Sequence, residues 1–233
     1  MRDTPSDGGV FASPRVAARY EAWYATPEGA RADALEKAAL GDLLSVFPTV
    51  EYVLEVGCGT GHFARWLRVR GIKTVGVDLS SAMLQEAKVL DGVPLVQASA
   101  CHLPFPDGAF DVTMLVTTLA FLPRPREALA QALRVSRYGL LLGVLNRWSV
   151  LGMQRRLKGL FRKTPYDDAH FFGVRGLTAL LRAVTGESAR IYWRTTLFPR
   201  WWPWHHGRQR WGSFIAAALV LGSSPRTLPQ GVR

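Results

Sequence analysis

Three glycines, Gly57, Gly59 and Gly61, stand in the run GCGTG, and one carboxylate, Asp78, follows seventeen residues after the last of them. Glycine tolerates left-handed backbone and lets the main chain approach a ligand closely, so this spacing suits a tight turn around a polar ligand. An acid at the end of the next strand can accept hydrogen bonds from both hydroxyls of a ribose. A glycine-rich turn alone says little, but turn and acid together point to a nucleoside-containing cofactor. The spacing departs from the dinucleotide pattern G-x-G-x-x-G: the third glycine comes one residue early and His62 stands where the last glycine belongs. No second domain of adequate size remains to bind a hydride donor, so both features count against a dehydrogenase.

The turn must be held by a strand before it and a helix after it. YVLEV (Tyr52–Val56) runs into the glycines, and HFARWLRVRG continues as a helix over about Gly61–Arg70. Further short apolar runs predict strands at Lys73–Val77, Val93–Gln97, Phe110–Val116 and Tyr138–Leu145. Helices are expected near Ser80–Leu90 and Pro125–Ser136, the latter opening on a proline suited to a first turn. The stretch Ala98–Ala109, with two prolines and a glycine, reads as a loop.

Upstream, Leu35, Ala39, Leu43 and Phe47 recur every four residues as the apolar stripe of a helix, and Tyr20–Tyr24 belongs to another. Downstream, Leu177, Leu180, Leu181 and Val184 give a helix ended by Gly186. Strands at Ala189–Phe198 and Ser213–Leu221 then close the domain as a hairpin. The alternation predicts a doubly wound α/β fold, Rossmann-like, with a seven-stranded mainly parallel sheet and one C-terminal antiparallel strand. The expected organisation is a flexible stretch 1–13, one domain over 14–222 and a tail at 223–233. Within the domain, 14–50 is a helical cover, 51–145 the cofactor-binding core, and 146–222 the acceptor side with its hairpin.

The motifs VLEVGCGTGHFARWL, VGVDLSSAMLQEA and LPFPDGAFDVTMLV resemble class I S-adenosylmethionine (SAM)-dependent methyltransferases, particularly the small single-domain group related to quinone-biosynthetic methyltransferases. The resemblance covers roughly residues 15–220. It implies SAM as methyl donor, with Glu55 and the turn Gly57, Cys58, Gly59 and Gly61 around the methionine part. It further implies Asp78 on the ribose, and Leu79 and Met83 near adenine. In QASACHLPF, Ser99 and Ala100 fall where the family often has an acidic residue, so an adenine contact there is weaker or supplied by backbone. Thr117 and Leu119 would face the methyl group or the acceptor, or simply pack at the strand end. Tyr20, Trp23 and Tyr24 fall in a segment that covers the cofactor in related enzymes.

Methyl transfer from a sulfonium is an in-line displacement, so alignment of acceptor, methyl carbon and sulfur is the main task. A hydroxyl or amine acceptor also needs a base, for which Tyr20, His102 and His170 qualify by residue type. The acceptor itself is less legible. Residues 1–140 hold 14 Lys/Arg against 15 Asp/Glu, whereas 141–233 hold 15 against 3. Met153, Leu157, Leu160 and Phe161 share one helical face with Arg155, Arg156, Lys158, Arg162 and Lys163 on the other. Arg200, Arg208 and Arg210 are interleaved with Trp201, Trp202, Trp204 and Trp211. Such composition suits a lipid-like acceptor or anionic membrane surface, a stacked nucleic-acid base, or a solvated hairpin loop over the core. Asn146, Arg147 and Trp148 begin this segment at the end of the fifth strand, where an acceptor wall is expected.

A small or lipid-like acceptor is the first expectation. An RNA methyltransferase and a non-catalytic cofactor-binding scaffold are the alternatives. His205 and His206 lack neighbouring Cys, Asp or Glu, so no metal site is expected. Cys58 and Cys101 stand apart, the N-terminus carries Asp3 and Asp7 instead of a basic leader, and the longest apolar run, Phe214–Leu221, has strand length. A cytoplasmic protein is expected, able to rest on the inner membrane surface. The oligomeric state is not encoded in any of these features.

Overall fold

The computed structural model describes residues 11, 13–90, 92–147, 169–198, 206–207 and 210–222. The predicted basic helix at 153–163, Trp148, and the tryptophans at 201, 202 and 204 lie outside the described residues. The strands are β1 (Tyr52–Val56), β2 (Lys73–Asp78), β3 (Leu95–Gln97), β4 (Phe110–Val116), β5 (Ser136–Leu145), β6 (Arg190–Thr196), β7 (His206–Gly207) and β8 (Phe214–Val220). The helices are α1 (Pro14–Tyr24), α2 (Pro27–Leu44), α3 (His62–Val69), α4 (Ser81–Val89), α5 (Pro125–Arg134) and α6 (Val174–Thr185).

One sheet runs in the order β3-β2-β1-β4-β5-β8-β6-β7. Its first five strands are parallel, and β8 pairs antiparallel with both β5 and β6. The expected seven-stranded sheet is therefore present, and the two-residue β7 adds an eighth strand by pairing with Thr195 and Thr196. Strand order reverses between β1 and β4, so the crevice between their carboxyl ends is the topological switch point where ligands bind in such sheets.

Side chains alternate between two cores with the period of a strand. Leu54, Val56, Leu140, Leu142, Ile215, Ala217 and Leu219 face α5 and α6, packing with Leu129, Leu177 and Leu181. Val53, Leu141, Phe214, Ala216 and Ala218 face the opposite layer, packing with Leu40 and Leu43 of α2 and with Phe63 and Leu67 of α3. A Cβ on Gly143 of β5 would lie 2.4 Å from the Phe214 ring, so glycine there makes room for the aromatic side chain on the neighbouring strand.

Helix starts follow local chemistry. Pro27 opens α2 behind Thr26, whose hydroxyl accepts from Gly29 N–H at 3.0 Å. Ser80 caps α4 by accepting from Met83 N–H at 3.2 Å. α6 ends at Gly186 with φ 69°. Several boundaries differ from the sequence reading by one to three residues, three of them with a local cause. α2 stops at Leu44, and the following turns keep Phe47 buried. β3 begins only at Leu95, beyond Pro94, whose carbonyl accepts from Gly76 N–H. β5 begins at Ser136, whose hydroxyl donates to Ala132 O near the end of α5 and accepts from the Thr113 hydroxyl of β4.

Candidate cofactor site

β1 carries its chain into the switch-point crevice and hands it to α3 through three left-handed glycines: Gly57 (φ 71°), Gly59 (φ 54°) and Gly61 (φ 78°). The N–H groups of Gly57 and Cys58 both donate to Val77 O, at 2.7 and 2.9 Å, folding the turn back onto β2. The first two glycines serve different ends. A Cβ on Gly57 would lie 2.3 Å from Thr118 Cγ2, whereas one on Gly59 would meet no heavy atom within 4 Å. Gly57 is required by packing, and Gly59 leaves the space open.

Asp78 ends β2 with both carboxylate oxygens engaged by backbone. Oδ2 accepts from Gly59 N–H and Oδ1 from Ser80 N–H, each at 2.8 Å. Burial pushes its carboxyl above the ordinary range, opposed by hydrogen bonds from the Ser80, Gly59 and Leu79 backbone. Each oxygen keeps a lone pair for a ligand hydroxyl.

Glu55 lies fully buried one residue before the end of β1, and its Oε2 has no hydrogen-bond partner. Burial raises its carboxyl to about 8, with a backbone hydrogen bond from Ala64 lowering it and the charge of Asp78 raising it further. An unpartnered buried acceptor is expensive, and a cationic ligand group would satisfy it. Desolvation, followed by the charges of Glu55 and Asp78, pushes the buried Cys58 thiol well above its usual range, so no nucleophilic thiolate is expected there.

Opposite, β4 is followed by Thr117, whose φ of 59° is unusual for a β-branched residue, with its N–H on Gly143 O at 2.7 Å. Such strain concentrates where surrounding structure enforces it, often at functional positions. Thr118 Oγ1 donates to Val56 O at 2.9 Å and joins the carboxyl ends of β4 and β1. Leu119, expected to face the acceptor or pack at the strand end, does the latter: it is fully buried in the sheet core.

On the β2 side, Leu79 is 40% exposed and Met83 is buried against Ala17 and Ala82. Ser99 Oγ accepts from Cys101 N–H at 3.2 Å, and Ser99 and Ala100 are half-buried just beyond β3. Among the base candidates, Tyr20 is half-buried in a cluster with Phe11 and Tyr24, and Phe11 in turn packs on Phe121 beyond β4. His170 is exposed, with its N–H on Ala120 O at 2.7 Å beside the end of β4. His102 is exposed on the loop after β3.

The structure also joins residues that sequence reasoning passed over. Glu21 of α1 accepts from Thr60 Oγ1 inside the glycine turn and from Arg65 at 2.9 Å, with His62 Nδ1 at 3.4 Å. His62 Nε2 meets Asp33 of α2 at 2.7 Å, Lys37 bonds Asp33 at 2.8 Å, and Tyr24 stacks on the imidazole at 3.6 Å. Burial opposes ionisation of Glu21, but His62, Thr60 and Arg65 outweigh it and hold the carboxyl at about 2. Burial likewise opposes protonation of His62, and the carboxylates of Asp33 and Glu21 override it and raise the imidazole. Of these contacts only Asp33–Lys37 is local in sequence, an i,i+4 pair on α2. Among the described residues no group of three or more His, Cys, Asp or Glu side chains is placed to hold a metal ion.

A reversed strand order with a left-handed glycine turn and a buried acid at the switch point defines a doubly wound cofactor-binding domain. Residues 54–142 match the family model described as a methyltransferase domain. A solved SAM-dependent methyltransferase of Thermotoga maritima superposes with a TM-score of 0.74, at 29% identity, covering 91% of this chain and 98% of that one. An uncharacterized protein of Mycobacterium tuberculosis is 35% identical over 73% of this chain and 58% of its own length. The demethylmenaquinone methyltransferase of Lactiplantibacillus plantarum is 35% identical over 38% of this chain and 41% of its own. The chain therefore spans little more than half the length of curated relatives such as the mycobacterial one. Residues 54–142 are thus similar to a methyltransferase domain, and the fold is that of a solved SAM-dependent methyltransferase.

Proposed function

We propose that the protein transfers the methyl group of SAM to a small or lipid-like acceptor. The observation that carries this reading is Glu55, a buried carboxyl with an unpartnered oxygen beside an open glycine turn. The ammonium of an amino-acid-bearing cofactor supplies the donors and the charge that such a group lacks. Asp78 receives the ribose hydroxyls, Gly57, Cys58, Gly59 and Gly61 lie along the methionine part, and Leu79, Met83, Ser99 and Ala100 border adenine. SAM, when bound, supplies a methyl carbon on a sulfonium, open to in-line attack. The acceptor's lone pair forms the new bond as the carbon–sulfur bond breaks, and S-adenosylhomocysteine leaves.

The chain's own part is to hold and shield. Thr117 stands at the carboxyl end of β4 and borders the reacting centre. Phe11, Tyr20 and Phe121 close an aromatic wall beside it that excludes water. Where the acceptor carries a proton, Tyr20, His170 or His102 takes it in this proposal. The likeness to a demethylmenaquinone methyltransferase supports an apolar acceptor. No helix among the described residues is long and apolar enough to cross a membrane. Contact with an anionic inner-membrane surface through the basic segment after Asn146 remains part of the proposal.

The test is calorimetric titration with SAM and S-adenosylhomocysteine, followed by a radiolabelled methyl-transfer screen over lipid, small-molecule and RNA fractions. Label in the lipid or small-molecule fraction is the expected result. Label in RNA alone would replace the acceptor class, and absence of cofactor binding would overturn the proposal. Sedimentation with anionic and neutral vesicles tests the membrane part.

A further inference from the structure

Phe11 and residues 13–24 form a roof over the switch-point crevice, and its attachments differ in kind. At one end, Phe11 O accepts from Ser80 Oγ at 2.7 Å, and the Phe11 ring meets Phe121 edge-on with centroids 4.8 Å apart. In the middle, Ala17 packs against Ala82 and Met83. At the far end the attachment is polar and converges on one side chain, Glu21, which takes donors from Thr60, His62 and Arg65. Thr60 belongs to the glycine turn itself and is fully buried, and Arg65 also donates to Thr60 O at 2.5 Å. Glu21 therefore reaches past the surface of α3 and grips the turn along which the cofactor is proposed to lie.

We propose that Glu21 is a positioning residue, a latch whose release from Thr60, His62 and Arg65 frees the cofactor. The inference rests on the proposed use of SAM. Three donors on one carboxylate make a fastening that is strong while shared and can be exchanged for water one bond at a time, since the Glu21 side chain is 30% exposed. The apolar contacts at Ala17 and Phe11 have no such exchange partner and stay closed longer. Charged and titratable neighbours packed on this latch are Tyr20 and Tyr24 from α1, Asp33, Glu36 and Lys37 from α2, and His62 and Arg65 from α3. Protonation of His62 completes the third bond, so the latch is tightest when the imidazole is charged.

Stopped-flow dissociation of S-adenosylhomocysteine from the full chain, chased with excess SAM, measures the latch. Glu21→Ala should raise the dissociation rate about tenfold or more, the scale expected when a charge-assisted cluster is lost. Glu21→Gln should recover part of this, because its amide oxygen still accepts from Thr60 and Arg65. Arg65→Ala should raise the rate too, and the double variant should fall short of the product of the two single effects. A wild-type dissociation rate in Glu21→Ala, or effects of Glu21→Ala and Arg65→Ala that simply multiply, would overturn the latch. Should Glu21→Ala not fold, Glu21→Gln and Arg65→Ala decide the question on the same readout. A wild-type chain that binds neither ligand would instead sink the proposed function.

Discussion

Glu55 gives the sharpest test of the site, because its buried carboxyl and the charge of the cofactor are linked. In the empty protein its pKa is raised to about 8, so at pH 7 about nine in ten molecules carry it protonated. A cationic cofactor group is held only by the ionised form, so binding must expel that proton. Each pH unit below 8 then costs about 1.4 kcal/mol, and the dissociation constant for SAM should tighten toward tenfold per unit between pH 5.5 and 7.5. Calorimetry at pH 7 in two buffers of different ionisation enthalpy should report release of about 0.9 proton per cofactor bound. Glu55→Gln should bind more weakly at pH 7.5, lose most of the pH dependence, and release correspondingly fewer protons. A wild-type affinity that stays level across that range, with no buffer-dependent enthalpy, would refute the reasoning. The sign for stability runs the same way. A carboxyl raised in the folded state contributes stability that is complete below about 4.5 and is lost as pH rises through about 8. The cofactor-free protein should therefore lose Tm between about pH 4.5 and 8, and Glu55→Gln should lose less.

Asp78→Ala should weaken cofactor binding by about 1–3 kcal/mol and also lower Tm, because Gly59 and Ser80 lose their acceptor; unchanged calorimetric affinity would remove it from the ribose. Gly57→Ala and Gly59→Ala should separate by thermal melting, since only the first drives a Cβ into Thr118 as well as straining a positive φ. The Gly57 change should cost about 2 kcal/mol or more, and the Gly59 change should chiefly weaken cofactor binding. The Glu21 carboxyl, held at about 2, contributes stability that is present above its ordinary value and lost as pH falls toward 2. Acid unfolding of Glu21→Gln should accordingly be shallower than that of the wild type, a difference visible by circular dichroism.

The cofactor turn and the central strands were legible because their signals are local. Tyr52–Val56 and Phe110–Val116 are mainly apolar runs bounded by chain-turning residues, and burial on both sheet faces keeps most of their positions apolar, with Glu55, Asp111 and Thr113 as the buried polar exceptions. Helix ends were less so. The four-residue spacing that includes Phe47 continues after α2 has stopped, because the turn bonds Val46 N–H to Leu43 O and Phe47 N–H to Leu44 O keep the side chain on the same side. Leu119 illustrates the opposite limit: its place after a strand left open whether it faced the crevice, and only the short 3₁₀ turn that swings it under the sheet decided the matter. The Glu21 cluster could not be read at all. Its members lie 39 to 44 residues from their partners across the turn, and isolated acids on a helix carry no mark of where the fold will take them.

The packing of α2 against β8 has a consequence for how the chain becomes a protein. Leu40 and Leu43 share their core with Ala216, Ala218 and Phe214, so a helix made early finds its partner surface only when one of the last strands has been synthesised. β5 waits as well, since its outer edge is covered by β8 along seven residue pairs. Until residue 220 emerges, a growing chain exposes an apolar helix face and an unpaired central strand together, the combination that favours association between nascent chains. Closure between such distant segments is slow, so refolding should be limited by docking of β8 and should respond to changes at Ala216 and Ala218 more than to changes in the glycine turn.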